Sequence, residues 1–188
     1  KSTTKKKHRT LTSVELTRYA GNPLLEPVKD NHWEAFAAFN PAALHIDGKV
    51  HLLYRAQGHD GVSTLGYASS SDGISMEERL EYPVFVPTRD FDTRTESSKH
   101  APYPYVSGGG FGGCEDPRLI LIEETIYLIY VAFDGSHPPG VALSSIKKSD
   151  FLAKEWTWTT PRLISQPGQI QKNWVLFPEK INGKFAIL

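Results

Sequence analysis

The 188-residue chain is 39% hydrophobic and 11% aromatic, the balance of a folded β-rich protein rather than of a disordered one. Its 21 basic residues equal its 21 acidic ones, which excludes a global field that would recruit nucleic acid or an anionic membrane and points to a neutral small molecule as partner. Cys114 stands alone, excluding an intrachain disulfide, and no apolar run reaches the ~18 residues of a membrane span or forms a signal-peptide core. A cytoplasmic location is expected; a periplasmic or secreted one stays open if a leader was removed.

Residues 1–20 read as a basic tail, with Lys5-Lys6-Lys7-His8-Arg9 as a solvated cluster. Residues 21–188 read as the N-terminal part of one domain. Within it, Asn40-Pro41-Ala42-Ala43-Leu44 leads into Lys49-Val50-His51-Leu52-Leu53-Tyr54. Asp116-Pro117-Arg118-Leu119-Ile120 leads in the same way into Thr125-Ile126-Tyr127-Leu128-Ile129-Tyr130, and both copies run 13 positions from proline to tyrosine. Each copy continues through a second apolar run, Leu65 to Ser70 or Val141 to Ser145, to a polar turn at Ser71-Asp72-Gly73 or Ser149-Asp150. A third copy opens at Phe177-Pro178-Glu179-Lys180-Ile181 and turns at Asn182-Gly183.

Repeats of short strands and tight turns predict an all-β chain of β-propeller type. The run Ile126 to Phe133 is apolar on both faces, as in a strand packed between neighbouring sheets. About two blades and the start of a third are present, and a propeller closes with ~4 to 8. The expectation is therefore the N-terminal portion of a longer protein, or a ring completed by another chain in a homo-oligomer.

The residue before a proline is pushed towards extended geometry, and Asn40 and Asp116 share that slot in successive repeats. In a radial array equivalent slots converge on one axis, which makes Asp116 a candidate catalytic acid; an Asx-turn or a salt bridge to Arg118 is the plainer reading. Glu115 is expected to point away from Asp116, because neighbours on an extended chain face opposite sides. Glu179, one position past the third slot, is a candidate partner carboxylate; a blade-to-blade ion pair with Lys180 or Arg118 is the alternative.

The insertion from Arg89 to Gly113 carries Tyr103, Tyr105 and Phe111, which can stack on a sugar ring; a flexible insertion without that role is the equal alternative. Trp156 and Trp158 alternate around Thr157 and read as packing residues. The scattered histidines lack metal-ligand spacing, so no structural metal is expected, and His51 reads as a packed or rim histidine.

Taken in order, Asn22-Pro23, Phe39-Asn40-Pro41-Ala42, Leu53-Tyr54-Arg55, Ser71-Asp72-Gly73, Glu115-Asp116-Pro117-Arg118 and Lys172 with Leu176-Phe177-Pro178-Glu179-Lys180 resemble the N-terminal half of glycoside hydrolase family 130. The resemblance spans about Gly21 to Leu188. It implies a five-bladed propeller that cleaves β-mannosides with inversion, by phosphorolysis or hydrolysis, without a cofactor and with inorganic phosphate as co-substrate in the first case. Asp116 matches the family's acid, which protonates the glycosidic oxygen through a mannose hydroxyl. Asn40 and Arg55 match positions lining the sugar and attacking-group pocket, Arg118 follows the acid, and Lys172 matches a phosphate-associated lysine. Glu179 lies in the motif without an assigned role.

Two departures, Gly140 where the phosphorylases resembled carry an arginine and Trp174 where they carry a smaller residue, favour hydrolysis over phosphorolysis. A sugar-binding propeller without catalysis is the reading from a different class, and only activity separates it.

Overall fold

The computed structural model describes residues 15–94 and 110–188. Among the described residues, eight strands and one short helix form two blades of a β-propeller. The first contains β1 (Ala37–Ile46), β2 (Lys49–Gln57), β3 (Val62–Ser70) and the short β4 (Glu78–Arg79). The second contains β5 (Gly112–Ile122), β6 (Thr125–Phe133), β7 (Gly140–Lys147), helix α1 (Lys148–Ala153) and β8 (Arg162–Leu163). Each blade is an antiparallel meander, and the full path runs β1-β2-β3-β5-β6-β7-β8 with β4 on the side of β3.

Tight turns set this order. Asp47 and Gly48 both take positive φ (50° and 80°), the twist-matched two-residue hairpin that closes Ile46 onto Lys49. Asn182 and Gly183 repeat it at 51° and 76°, closing Ile181 onto Lys184 in the opening hairpin of the third unit.

The blades join where β3 and β5 pair in parallel, Val62 with Gly112 and Ser63 with Gly113. Gly113 has φ 109°, and a Cβ there would run into the Ser63 carbonyl oxygen and lie 2.6 Å from the Ser63 nitrogen. Both obstacles are backbone and cannot swing aside. Gly113→Ala is therefore expected to lower the stability of the intact protein by at least about 2 kcal/mol, through φ strain plus this clash. An unchanged denaturant midpoint would show that the blades do not need this approach.

Between the blades lies one core: Leu53, Leu65 and Tyr67 from the first, Ile126, Leu128, Tyr130 and Ile146 from the second, with Phe151 of α1 as plug. Phe151 meets Tyr67, Trp156 and His51 edge-on at centroid distances of 5.9, 5.5 and 5.6 Å. Such pairs add ~0.5 to 1.5 kcal/mol beyond burial. Trp158 meets Phe85 edge-on and donates to the Val84 carbonyl, so Trp156 and Trp158 are packing residues, as the sequence suggests. His51 is also a packed residue: its Nδ1 lies 2.8 Å from the Tyr67 hydroxyl, and burial lowers its pKa.

The repeated tyrosines anchor the blades. Tyr54 donates to buried Glu34 at 2.8 Å, and Tyr130 donates to buried Asp92 at 2.7 Å. Glu34 is balanced by Arg79 at 2.5 Å; Asp92 instead accepts the Thr88 and Arg89 backbone N–H groups, and desolvation raises its pKa. These bonds fix β2 and β6 opposite the two positions that matter most on β1 and β5. Among the described residues no helix is long and apolar enough to cross a membrane.

Candidate active site

Each inner strand is interrupted at its proline. Phe39 pairs with Arg55 and Ala42 with Leu53, so Asn40 and Pro41 together oppose Tyr54; Glu115 pairs with Val131 and Arg118 with Ile129, so Asp116 and Pro117 together oppose Tyr130. This is a β-bulge repeated in both blades, sited where proline has no N–H to give the ladder. The expected extended geometry is not what forms: Asn40 has φ 44° and Asp116 φ 47°. Asn and Asp tolerate the left-handed region better than most residues. Such a conformation costs about 1 to 3 kcal/mol and persists where the surroundings impose it.

The bulge re-aims both side chains across the blade boundary. Asn40 Nδ2 donates to Asp116 Oδ1 at 2.8 Å, linking the equivalent slots of two repeats. Arg55, from β2, lies beneath them with no solvent exposure. Its Nη1 donates to Asp116 Oδ1 at 3.2 Å, its Nη2 to Glu115 Oε1 at 2.9 Å and its Nε to Ser63 Oγ at 2.9 Å, while the Phe39 ring covers it at 4.8 Å. The alternation rule thus fails at Glu115: with the strand bulged, consecutive carboxylates bind one guanidinium. Glu115 is a site residue that the pattern of an unbroken strand hides.

Asp116 does not form a salt bridge with Arg118. Arg118 Nη1 instead donates to the Asp116 and Pro117 carbonyl oxygens at 3.3 and 2.9 Å, clamping the bulge backbone. Asn40, Asp116 and Arg118 line one groove of about 440 Å³, together with Leu119, Asn173 and Val175. Asn173, at φ 62°, is the third unit's contribution.

Glu179 is not in that groove; it is exposed, and nothing brings it to Asp116. The reason is register. Pro41 and Pro117 precede their turn residues, Asp47 and Glu123, by six positions, whereas Pro178 precedes Asn182 by four. The third proline therefore marks a different height on its hairpin. Lys172, partly buried, directly precedes Asn173. Trp174 is half-buried and donates to Gln171 Oε1 at 3.3 Å. Tyr103 and Tyr105 lie outside the described residues; Phe111 is described and has Arg94 over its ring at 5.1 Å.

Gly140 proves a poor indicator of the attacking group. It is buried on β7, two strands out from Asp116, and a Cβ there would come within 2.9 Å of both Leu163 Cδ1 and Ser165 Oγ. Ser165 Oγ accepts the Val141 N–H at 2.8 Å. A side chain at this position would require Leu163 and Ser165 to shift. Among the described residues no His, Cys, Asp and Glu side chains cluster as metal ligands would.

A buried arginine beneath an aspartate, an asparagine that orients it and an open groove beside both can present an acid to a polar ligand. A family model described as beta-1,4-mannooligosaccharide phosphorylase matches residues 4–188. A beta-1,2-mannobiose phosphorylase of Thermoanaerobacter sp. (strain X514) is 30% identical over 185 residues, covering 92% of this chain and 53% of the relative. A 1,2-beta-oligomannan phosphorylase of the same strain is 30% identical over 182 residues, covering 93% and 53%. A solved structure is described as concerning the GH130 family of mannoside phosphorylases, containing glycoside hydrolases that target beta-1,2 mannosidic linkages in Candida mannan. It is 28% identical with a TM-score of 0.66, over 96% of this chain and 52% of that one. The chain spans about half the length of the curated relatives it matches.

Proposed function

Because this chain belongs to glycoside hydrolase family 130, we propose that the intact protein is an inverting β-mannoside phosphorylase with Asp116 as its acid. The observation that carries this is the bulge constellation, in which Asn40 and Arg55 both bind Asp116 Oδ1. Oδ2 is left as the oxygen that can hold a proton and give it up. In the proposed step the proton of Asp116 passes to the glycosidic oxygen, the bond from that oxygen to the anomeric carbon breaks, and a phosphate oxygen bonds to the same carbon from the opposite face. The products are the shortened saccharide and mannose 1-phosphate.

The preference for hydrolysis drawn from Gly140 and Trp174 finds no support in these relatives. The curated relatives with 92% and 93% coverage are named as phosphorylases, and a side chain at Gly140 would meet Leu163 and Ser165 rather than open space. Arg55 is likewise a weak choice as phosphate ligand, since its three nitrogens are engaged by Ser63, Asp116 and Glu115. Arg118, on the groove wall, and Lys172, beside Asn173, are the cations proposed to hold the anion.

The test is product analysis. Given β-1,2- and β-1,4-linked mannobiose, the intact protein is expected to turn over only when inorganic phosphate is present and to yield mannose 1-phosphate. Free mannose released at the same rate without phosphate would make it a hydrolase; binding without any turnover would leave a sugar-binding propeller.

A further inference from the structure

A second concavity lies towards the same end of the blades as Asp116, and the proposed reaction does not use it. It holds about 320 Å³, at the lower end of small-ligand sites, where β6 ends and β7 begins, bounded by Asp134, His137, Leu163, Gln166 and Gln169. Ala132 on its wall pairs with Cys114 of β5 and with Gly140 of β7, so the cavity begins one to two strand spacings of ~4.8 Å from the strand of Asp116. We propose that this cavity is a subsite for the distal units of a β-mannooligosaccharide whose cleaved end lies at Asp116; this rests on the groove taking a β-mannoside.

The lining fits a neutral sugar. Phe91, Pro138, Leu163 and Pro167 offer apolar surface to the C–H face of a pyranose ring, and the Gln166 and Gln169 amides both donate to and accept from hydroxyls. Among the described residues that line it, the carboxylates of Asp90 and Asp134 stand without a lysine or arginine, so phosphate or a sugar phosphate is disfavoured. Asp134 Oδ1 accepts the Ser136 and His137 N–H groups at 2.9 and 2.8 Å, and its Oδ2 lies 2.6 Å from His137 Nδ1. The loop is thereby shaped in advance, and Nε2 of the exposed His137 ring is the nitrogen that a ligand can reach.

Residues 166–175 connect the cavity to the groove. Gln171 N donates to the Pro139 carbonyl at 2.9 Å, fastening this segment to the loop between β6 and β7, and two positions later Asn173 lines the groove with Asp116. Along the segment Gln169 donates to Gln166 at 3.5 Å, Gln171 to Gln169 at 3.4 Å and Trp174 to Gln171 at 3.3 Å. Bonds this long are weak, and saccharide hydroxyls can replace them at little cost. A saccharide running from groove to cavity therefore meets side-chain amides along its path.

The test is chain length. With the intact protein, inorganic phosphate and the mannobiose, mannotriose and mannotetraose of the linkage it cleaves, the wild-type KM is expected to fall several-fold as the chain lengthens. Gln169→Ala combined with His137→Ala should raise the KM for mannotetraose about tenfold, as two lost hydrogen bonds would, and leave kcat and the KM for mannobiose unchanged. Gln166→Trp should do the same by filling the mouth of the cavity, and it carries the test if the double variant does not fold. A wild-type KM independent of length, or variants that change both substrates equally, overturns the subsite and leaves the phosphorylase reading standing. A wild type inert towards every β-mannoside overturns that reading instead, and calorimetry then decides the cavity. Tighter binding of mannotetraose than of mannobiose, lost in the double variant, supports the subsite; equal binding overturns it.

Discussion

Asp116→Asn in the intact protein is expected to lower kcat for β-mannoside cleavage by about 10²- to 10⁴-fold, the range over which a positioned general acid contributes. The amide keeps an oxygen where Oδ1 now accepts from Asn40 at 2.8 Å and Arg55 at 3.2 Å. The bulge and the groove should therefore survive, and calorimetric affinity for mannobiose should stay within a few-fold. This split matters because affinity and turnover respond to different properties of the same side chain: its shape is preserved and its proton is not. A variant retaining more than about a tenth of the wild-type kcat would remove Asp116 from the acid role.

Arg55→Met should have the largest effect on stability. The guanidinium is completely buried and joins two strands of the first blade and the inner strand of the second, through Ser63, Glu115 and Asp116. Removing it takes away the cation that fully buried Glu115 and partly exposed Asp116 share. Breaking one side of a buried pair costs about 3 to 5 kcal/mol, because the remaining charge must be protonated or left unsolvated. Arg55→Met combined with Glu115→Met should recover a large part of that loss, since the second substitution removes the buried carboxylate that Arg55 had balanced and refills its volume. Denaturant unfolding of the two single variants and the double variant yields the coupling directly. If the double variant is less stable than Arg55→Met alone, the pair is not the electrostatic unit described above.

Much of this was legible in the sequence because it depends on local periodicity. The 13-residue spacing from proline to tyrosine places Pro41 opposite Tyr54 and Pro117 opposite Tyr130, and the doubly apolar run at Ile126 to Phe133 becomes the buried strand β6. The ordered motifs around Asn40, Arg55 and Asp116 carried the family, because each of those residues is tied to a fixed place on a repeated strand.

Tertiary structure decided the rest, and mostly at points where periodicity breaks. Alternation along a strand placed Glu115 away from Asp116, but the bulge inserts a residue and turns both carboxylates to one arginine. The rule for residues before proline predicted extended backbone, and contacts across the blade boundary impose positive φ on Asn40 and Asp116 instead. Counting from Pro178 selected Glu179, whereas the shorter approach to the Asn182-Gly183 turn lifts it out of register and leaves Asn173 to line the groove. The absence of a side chain at Gly140 looked like a lost ligand, and only the proximity of Leu163 and Ser165 reveals a packing constraint. Repeat spacing determines which strands pair and which residues share a height; where a side chain points once a strand is bulged, and what fills the space beside a glycine, depends on residues distant in sequence that only the folded chain brings together.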